Sequence, residues 1–108
     1  MSGWTVQVID EAVPEFSALS PDMRARFQRL FRLEEGHGLA ALVMPLARPV
    51  AGRLWELRVT GRDGISRGLY VAASGKRVVI LRFFVKKTQK TPPREIEIAL
   101  KRLKEMEP

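Results

Sequence analysis

There is no cysteine in this chain, which excludes disulfides, thiolate nucleophiles and zinc–thiolate centres. Histidine is nearly absent too. The single one, His37, cannot build a poly-histidine metal site, and it is expected in the loop after a helix, in a structural or incidental role. A glycine-rich phosphate loop is missing: Gly61-Arg62-Asp63-Gly64 has the wrong spacing and reads as a turn. No run is apolar enough for a membrane. The longest stretch free of ionisable side chains, Gly38 to Ala47, falls far short of the roughly 20 residues a span needs. The first residues lack a basic, then apolar, then small-residue signal pattern, so the expected compartment is the cytoplasm, without a membrane partner. With 108 residues the chain is expected to be one domain, 1–108, and no metal or other cofactor is expected.

Acidic residues are also scarce, and unevenly so. Lys and Arg number 19 against 12 Asp and Glu, for a formal net charge of +7. From Met1 to Arg53 there are six of each sign, a balance of zero. All of the excess lies beyond Arg53, and between Arg58 and Arg94 ten basic residues face one acid, Asp63. A concentrated basic segment marks a polyanion partner more often than a device for solubility.

Hydrophobic periodicity orders the rest. Trp4, Val6 and Val8 alternate with Thr5 and Gln7, which predicts a half-buried strand. Pro14 to Leu19 reads as a short helical turn. Ser20-Pro21-Asp22 predicts a helix start, with serine as N-cap and proline at the first helical position. Met23, Phe27, Leu30 and Phe31 follow at helical spacing, and Gly36 is expected to end that helix. Gly36 to Gly52, with Pro45 and Pro49, reads as a linker. Three strand-like runs follow: Leu54 to Val59, Ile65 to Ala73 and Arg77 to Val85. The gaps between them are so short that they must be hairpins, hence antiparallel. Thr91-Pro92-Pro93, with Thr91 as N-cap, predicts a last helix with the apolar stripe Ile96, Ala99, Leu100, Leu103 and Met106. Glu95 and Glu97 fall on different sides of it and read as solvated charges. The fold class is α+β: an N-terminal strand and helices, a three-strand antiparallel meander and a C-terminal helix, with the helices on one sheet face.

Alternation along the meander divides its side chains between two faces. Trp55, Leu57, Val59, Tyr70, Val79, Leu81, Phe83 and Val85 form an apolar face expected to lie under the helices. The other face carries Leu54, Glu56, Arg58, Ile65, Arg67, Leu69, Ile80, Arg82, Phe84 and Lys86. A two-residue turn at Ser74-Gly75 puts Arg67 opposite Arg82, and a loop closing symmetrically or nearly so over Thr60 to Gly64 puts Arg58 opposite or diagonal to Arg67. Like charges so placed are destabilising and call for a compensating anion. Planar guanidinium forks suit phosphate, and Phe84 on the same face is placed to stack on an unpaired base. Lys86, Lys87 and Lys90 then gather between the last strand and a helix N-terminus, a favourable place for an anion.

Leu54-Trp55-Glu56-Leu57-Arg58, Arg67 with Leu69-Tyr70, and Phe84-Val85-Lys86-Lys87-Thr88-Gln89-Lys90-Thr91-Pro92 together resemble the phage-derived, Gp49-like branch of HigB toxins, within the RelE/ParE superfamily of bacterial toxin–antitoxin systems. Glu95-Ile96-Glu97-Ile98-Ala99 with Arg102-Leu103 fits the same pattern. The resemblance covers most of the chain from Leu54 onward. It implies a RelE-like fold and a ribosome-dependent endoribonuclease that cleaves messenger RNA in the decoding site of the 70S ribosome. It also implies neutralisation by a cognate helix-turn-helix antitoxin. By motif Arg67 matches the strand arginine at the scissile phosphate, and Lys86 and Lys87 match the basic pair ending the last strand. Arg58, Arg82 and Tyr70 match less closely, and alternation points Tyr70 inward.

RNA carries its own nucleophile, the 2′-OH, so a metal-free ribonuclease needs positioning, charge stabilisation and proton transfer. The expected roles are catalysis for Arg67, Arg82 and Lys86, and RNA binding for Arg58, Phe84, Lys87 and Lys90. Two other classes share the basic character: a ParE-like toxin acting on DNA gyrase, and a non-catalytic nucleic-acid-binding module with salt-dependent affinity.

Overall fold

The computed structural model describes residues 3–37, 47–62, 64–86 and 90–106. Strand β1 (Thr5–Val8) leads through a 3₁₀ turn at Asp10–Ala12 and a short α1 (Val13–Ser17) into α2 (Pro21–His37). Ser20 caps α2: its hydroxyl accepts the Met23 N–H at 3.3 Å. Three strands were expected after it, and four are present: β2 (Ala47–Ala51), β3 (Leu54–Gly61), β4 (Gly64–Ala73) and β5 (Arg77–Lys86). Helix α3 (Pro93–Met106) follows. The sheet order is β1-β5-β4-β3-β2, antiparallel except for β1, which joins β5 in parallel.

Part of the expected linker is therefore a strand. Ala47–Ala51 pairs with Leu54–Leu57 and carries Pro49 at the sheet edge, where no outer neighbour needs its missing N–H. Pro45 lies outside the described residues, and α2 runs one residue past Gly36.

Of the two placements open to Arg58, opposite or diagonal to Arg67, the β3–β4 hairpin takes the first. Gly61 pairs with Gly64, and counting back puts Arg58 directly opposite Arg67. Gly64, at φ +133°, makes the turn tight; a Cβ there lies 3.1 Å from the Lys86 carbonyl. The β4–β5 hairpin departs from expectation twice. Its turn spans Ser74-Gly75-Lys76, with Gly75 and Lys76 at positive φ, so Ala73 pairs with Arg77. Leu69 then pairs with Arg82 but Tyr70 with Ile80, leaving Leu81 as a bulge. An extra residue inverts side-chain parity on one side of it. Val79 consequently joins Val71 and the Leu54 row, while Ile80 shares a face with Tyr70, the reverse of the alternation reading. Arg67 faces Phe84, and Arg82 is one step removed.

Both sheet faces are covered, not one. Over the first, α1 and α2 set Phe16, Phe27 and Phe31 around Phe83, with Phe27 and Phe83 ring centroids 5.2 Å apart. Over the second lies α3, whose Ala99 and Leu103 join Leu54, Leu69, Val71 and Val79 in the core. The bulge makes this possible by turning Val79 toward α3.

At the far edge β1 ends opposite Ile80, and the next backbone donors of β5 need another partner. Glu15 of α1 supplies it, accepting the Phe83 N–H at 3.2 Å. The same carboxylate bonds Arg82 and Arg102, and Arg102 also donates to the Leu81 carbonyl at 2.9 Å. Glu15 thus ties α1, β5 and α3 together. Burial works to raise its pKa, but these donors outweigh that and hold it below the usual carboxylate value.

Candidate nucleic-acid interface

Register builds the site row by row on the α3 face. One row runs Arg48–Glu56–Leu69–Arg82 across four strands; the next runs Arg58–Arg67–Phe84; the last holds Thr60, Ile65 and Lys86. Four cationic side chains (Arg48, Arg58, Arg67 and Lys86) thus occupy one end of that face. Glu56, fully buried, stands among them. Its Oε1 lies 2.9 Å from Arg48 and 3.2 Å from Arg58, and its Oε2 lies 3.6 Å from Arg67. The Thr91 hydroxyl donates to Oε2 as well.

This differs from the open arginine row expected of the sequence. Arg67 is completely buried. Its guanidinium carbon sits 5.9 Å from the Phe84 ring centroid, a cation–π contact between direct cross-strand partners. Burial lowers its pKa, Glu56 opposes the shift, and Arg58 and Arg48 add to it. Solvent reaches Arg48 and Arg58 instead, whose side chains are 34% and 17% exposed. Phe84 is buried beneath the guanidinium, so in this state its ring stacks on no base.

Arg82 shares the face by register, yet its guanidinium points to other work. Its Nε lies 2.7 Å from Glu95 and its Nη1 bonds Glu15. Burial alone lowers an arginine pKa; here the bonds from Glu95 and Glu15 reverse that and raise it. The expected phosphate clamp of Arg67 with Arg82 is therefore not assembled. Glu95 is correspondingly an anchor for α3 and not a solvated charge. Thr91, expected as the N-cap of α3, gives its hydroxyl to Glu56, while the Pro92 carbonyl accepts the first helix N–H groups. Lys86 is half-buried and Lys90 exposed; Lys87 lies outside the described residues.

Glu56, expected on this face, neutralises the arginines around it, and Arg48 and Thr91 complete the site without having been expected in it. Arg48 was hidden by the prolines around β2, and Thr91 by its suitability as a cap; Glu56 follows from alternation, which sets it on the arginine face. An open cleft of about 490 Å³ adjoins the cluster, lined by Arg48, Pro49, Val50, Lys90, Thr91 and Ile96. Among the described residues no group of carboxylates or imidazoles has the arrangement of a metal site.

Tyr70 points away, as alternation predicted, to the α2 face opposite Trp55 and Ile80. Its neighbour there is Glu34, the next inward residue of α2 after Leu30, fully buried and with both carboxylate oxygens lacking a hydrogen-bond partner. Burial, with repulsion from Glu35, raises Glu34 to about 7. Burial and Glu34 together raise Tyr70 to about 12.

The profile of the family described as phage derived protein Gp49-like matches residues 14–104, most of the chain. The chain belongs to the Gp49-like family. No curated protein matches it. Among solved structures, this Gp49-like chain resembles a double arginine-to-alanine mutant of the E. coli toxin RelE in the free state. The TM-score is 0.64 at 13% identity, over 94% of this chain and 98% of that one. The archaeal RelE–RelB complex from Pyrococcus horikoshii aligns at TM-score 0.52 and 18% identity, over 77% and 94% of the two chains. The intact E. coli RelBE toxin–antitoxin complex aligns at 0.50 and 15%, over 81% and 99%. At such identities the likeness is one of fold: this Gp49-like protein has the RelE fold. Among the described residues no helix is long and apolar enough to cross a membrane.

Proposed function

We propose that this protein is the toxin of a toxin–antitoxin pair and cleaves messenger RNA on the ribosome without a metal. The observation that carries the reading is the direct opposition of Arg58 and Arg67, flanked on the same face by Arg48 and Lys86. One carboxylate among four cations leaves a net positive site, and the natural complement is a phosphate. The RelE fold of the chain and its place in a phage-derived family support the same reading.

In the proposed reaction the 2′-oxygen of the nucleotide attacks the adjacent phosphorus in line. The P–O5′ bond breaks as the 2′-O–P bond forms, giving a 2′,3′-cyclic phosphate and a 5′-hydroxyl. The solvent-accessible guanidiniums of Arg48 and Arg58 bind the non-bridging oxygens as charge builds on them. Arg67 works from beneath, holding Glu56 and adding positive potential. Lys86 is the group on this face placed to move a proton, taken from the 2′-hydroxyl or delivered to the departing 5′-oxygen. The partners of this reading are the 70S ribosome with its message and a cognate helix-turn-helix antitoxin; the RelE chains aligned above include two solved with RelB.

The test is induction in growing cells, with 5′ ends mapped on ribosome-bound messages and plasmid supercoiling followed in parallel. Cleavage within translated codons is the expected result. Altered supercoiling with intact messages means a gyrase-directed toxin, and loss of neither means a binding module.

A further inference from the structure

Among the described residues β2 pairs with β3 from Leu54 to Leu57, while β3 continues to Gly61. Between Arg58–Thr60 of β3 and Arg26–Leu30 of α2 lies a groove. A cleft of about 320 Å³ opens there, lined by the buried Leu30 and Val59 together with Thr60, Arg26, Arg29 and Arg58. A second, wider cleft of about 840 Å³ continues it around the hairpin tip, sharing Arg26 and Thr60 and adding Arg62. Arg26, Arg29 and Arg62 are exposed. The one described acid in the groove is Asp22, already held by Arg26 at 3.3 Å. Neither Arg29 nor Arg62 pairs with a carboxylate among the described residues.

Arg58 belongs to both places: it lines the groove and it contacts Glu56 in the candidate site. We propose that this groove is a second RNA subsite, holding the single strand that flanks the reacting phosphate as it passes from β3 onto α2. Guanidiniums grip successive phosphates, and the apolar lining of Leu30 and Val59 accepts a base or ribose. Continuity with Arg58 favours nucleic acid over an acidic protein, because one backbone then satisfies both sites. The proposal rests on the RNA-directed reading above and extends it.

The experiment uses the full chain and a fluorescein-labelled 2′-O-methyl oligoribonucleotide, which lacks the nucleophile and stays intact. Affinity is measured against salt for the unaltered protein, for Arg29→Gln/Arg62→Gln, for Arg29→Lys/Arg62→Lys, and for Lys101→Gln/Lys104→Gln on the exposed side of α3. Urea midpoints for all four establish that each is folded. The Gln pair in the groove is expected to bind on the order of tenfold more weakly, with the salt slope smaller by about 1.4 for two lost phosphate contacts. The Lys pair is expected to keep most of that slope, and the α3 pair to change little. Equal weakening by the α3 pair attributes the effect to net charge and overturns the groove. Unchanged RNA binding by the groove variant overturns it while leaving the ribonuclease reading intact. No RNA binding by the unaltered protein overturns the groove, while the ribonuclease reading is decided separately by the mapping of ribosome-bound messages.

Discussion

Arg58 and Arg67 stand directly across from each other on β3 and β4, a placement that costs stability unless an anion lies between them. Glu56 is that anion, 3.2 Å from one guanidinium and 3.6 Å from the other. The carboxylate and a bound phosphate are therefore chemical substitutes at this place, and stability and binding are linked through it.

Replacing Glu56 by Gln tests that link. Removing one partner of a buried ion cluster costs about 3–5 kcal/mol. The urea midpoint of Glu56→Gln is expected to fall accordingly and to recover with added phosphate more than the unaltered protein gains. Equal gains from phosphate in both proteins argue against an anion site at Glu56.

Arg67→Ala removes a fully buried member of the same cluster, so its urea midpoint is expected to fall too, while Arg48, Arg58 and Thr91 still hold Glu56. Folding is expected to persist, and growth inhibition on induction to disappear. Retained toxicity places Arg67 outside the site.

Two carboxylates give the stability profile opposite slopes. Glu34 is raised in the folded state, to about 7 from an ordinary 4.5, so ionising it costs stability. Stability is expected to decline as pH rises from about 4.5 through about 7, by on the order of 3 kcal/mol. Glu34→Gln should flatten that decline and stabilise the protein at pH 8. Glu15 is lowered, so its contribution is present above the ordinary value and is lost as pH falls through its folded-state value. In Glu15→Gln the acid limb is expected to be shallower. Urea unfolding across pH reads both.

Two glycines in one turn should respond differently to alanine. At Gly61 a Cβ comes within 2.8 Å of the Met23 methyl, the free end of a flexible side chain. At Gly64 it meets the Lys86 carbonyl at 3.1 Å, with φ at +133°. Gly64→Ala is expected to cost about 1–3 kcal/mol and Gly61→Ala less. A larger loss at Gly61 contradicts the stated geometry.

Much of the frame was legible along the chain. Alternation located β3, β4 and β5 to within a residue or two, and the short Gly61–Gly64 gap set Arg58 against Arg67, because hairpin register follows from loop length. Ser20 announced α2. Pro49 concealed β2, since proline argues against a strand except at an edge, and whether a strand is an edge depends on the whole sheet.

What the sequence determined by itself is local: which segments are strands and helices, which residues oppose one another across a tight hairpin, and that positive charge concentrates beyond Arg53. Tertiary structure alone decided the rest. The bulge at Leu81 turned Val79 over, α3 settled on the second face, and Arg82 was drawn to Glu15 and Glu95, from segments 67 and 13 residues away. Glu56 was set among guanidiniums from three strands. Alternation reports which side of a strand a residue occupies; how deeply it is buried, and which counter-ion reaches it, depend on chain segments that come together only when the core packs.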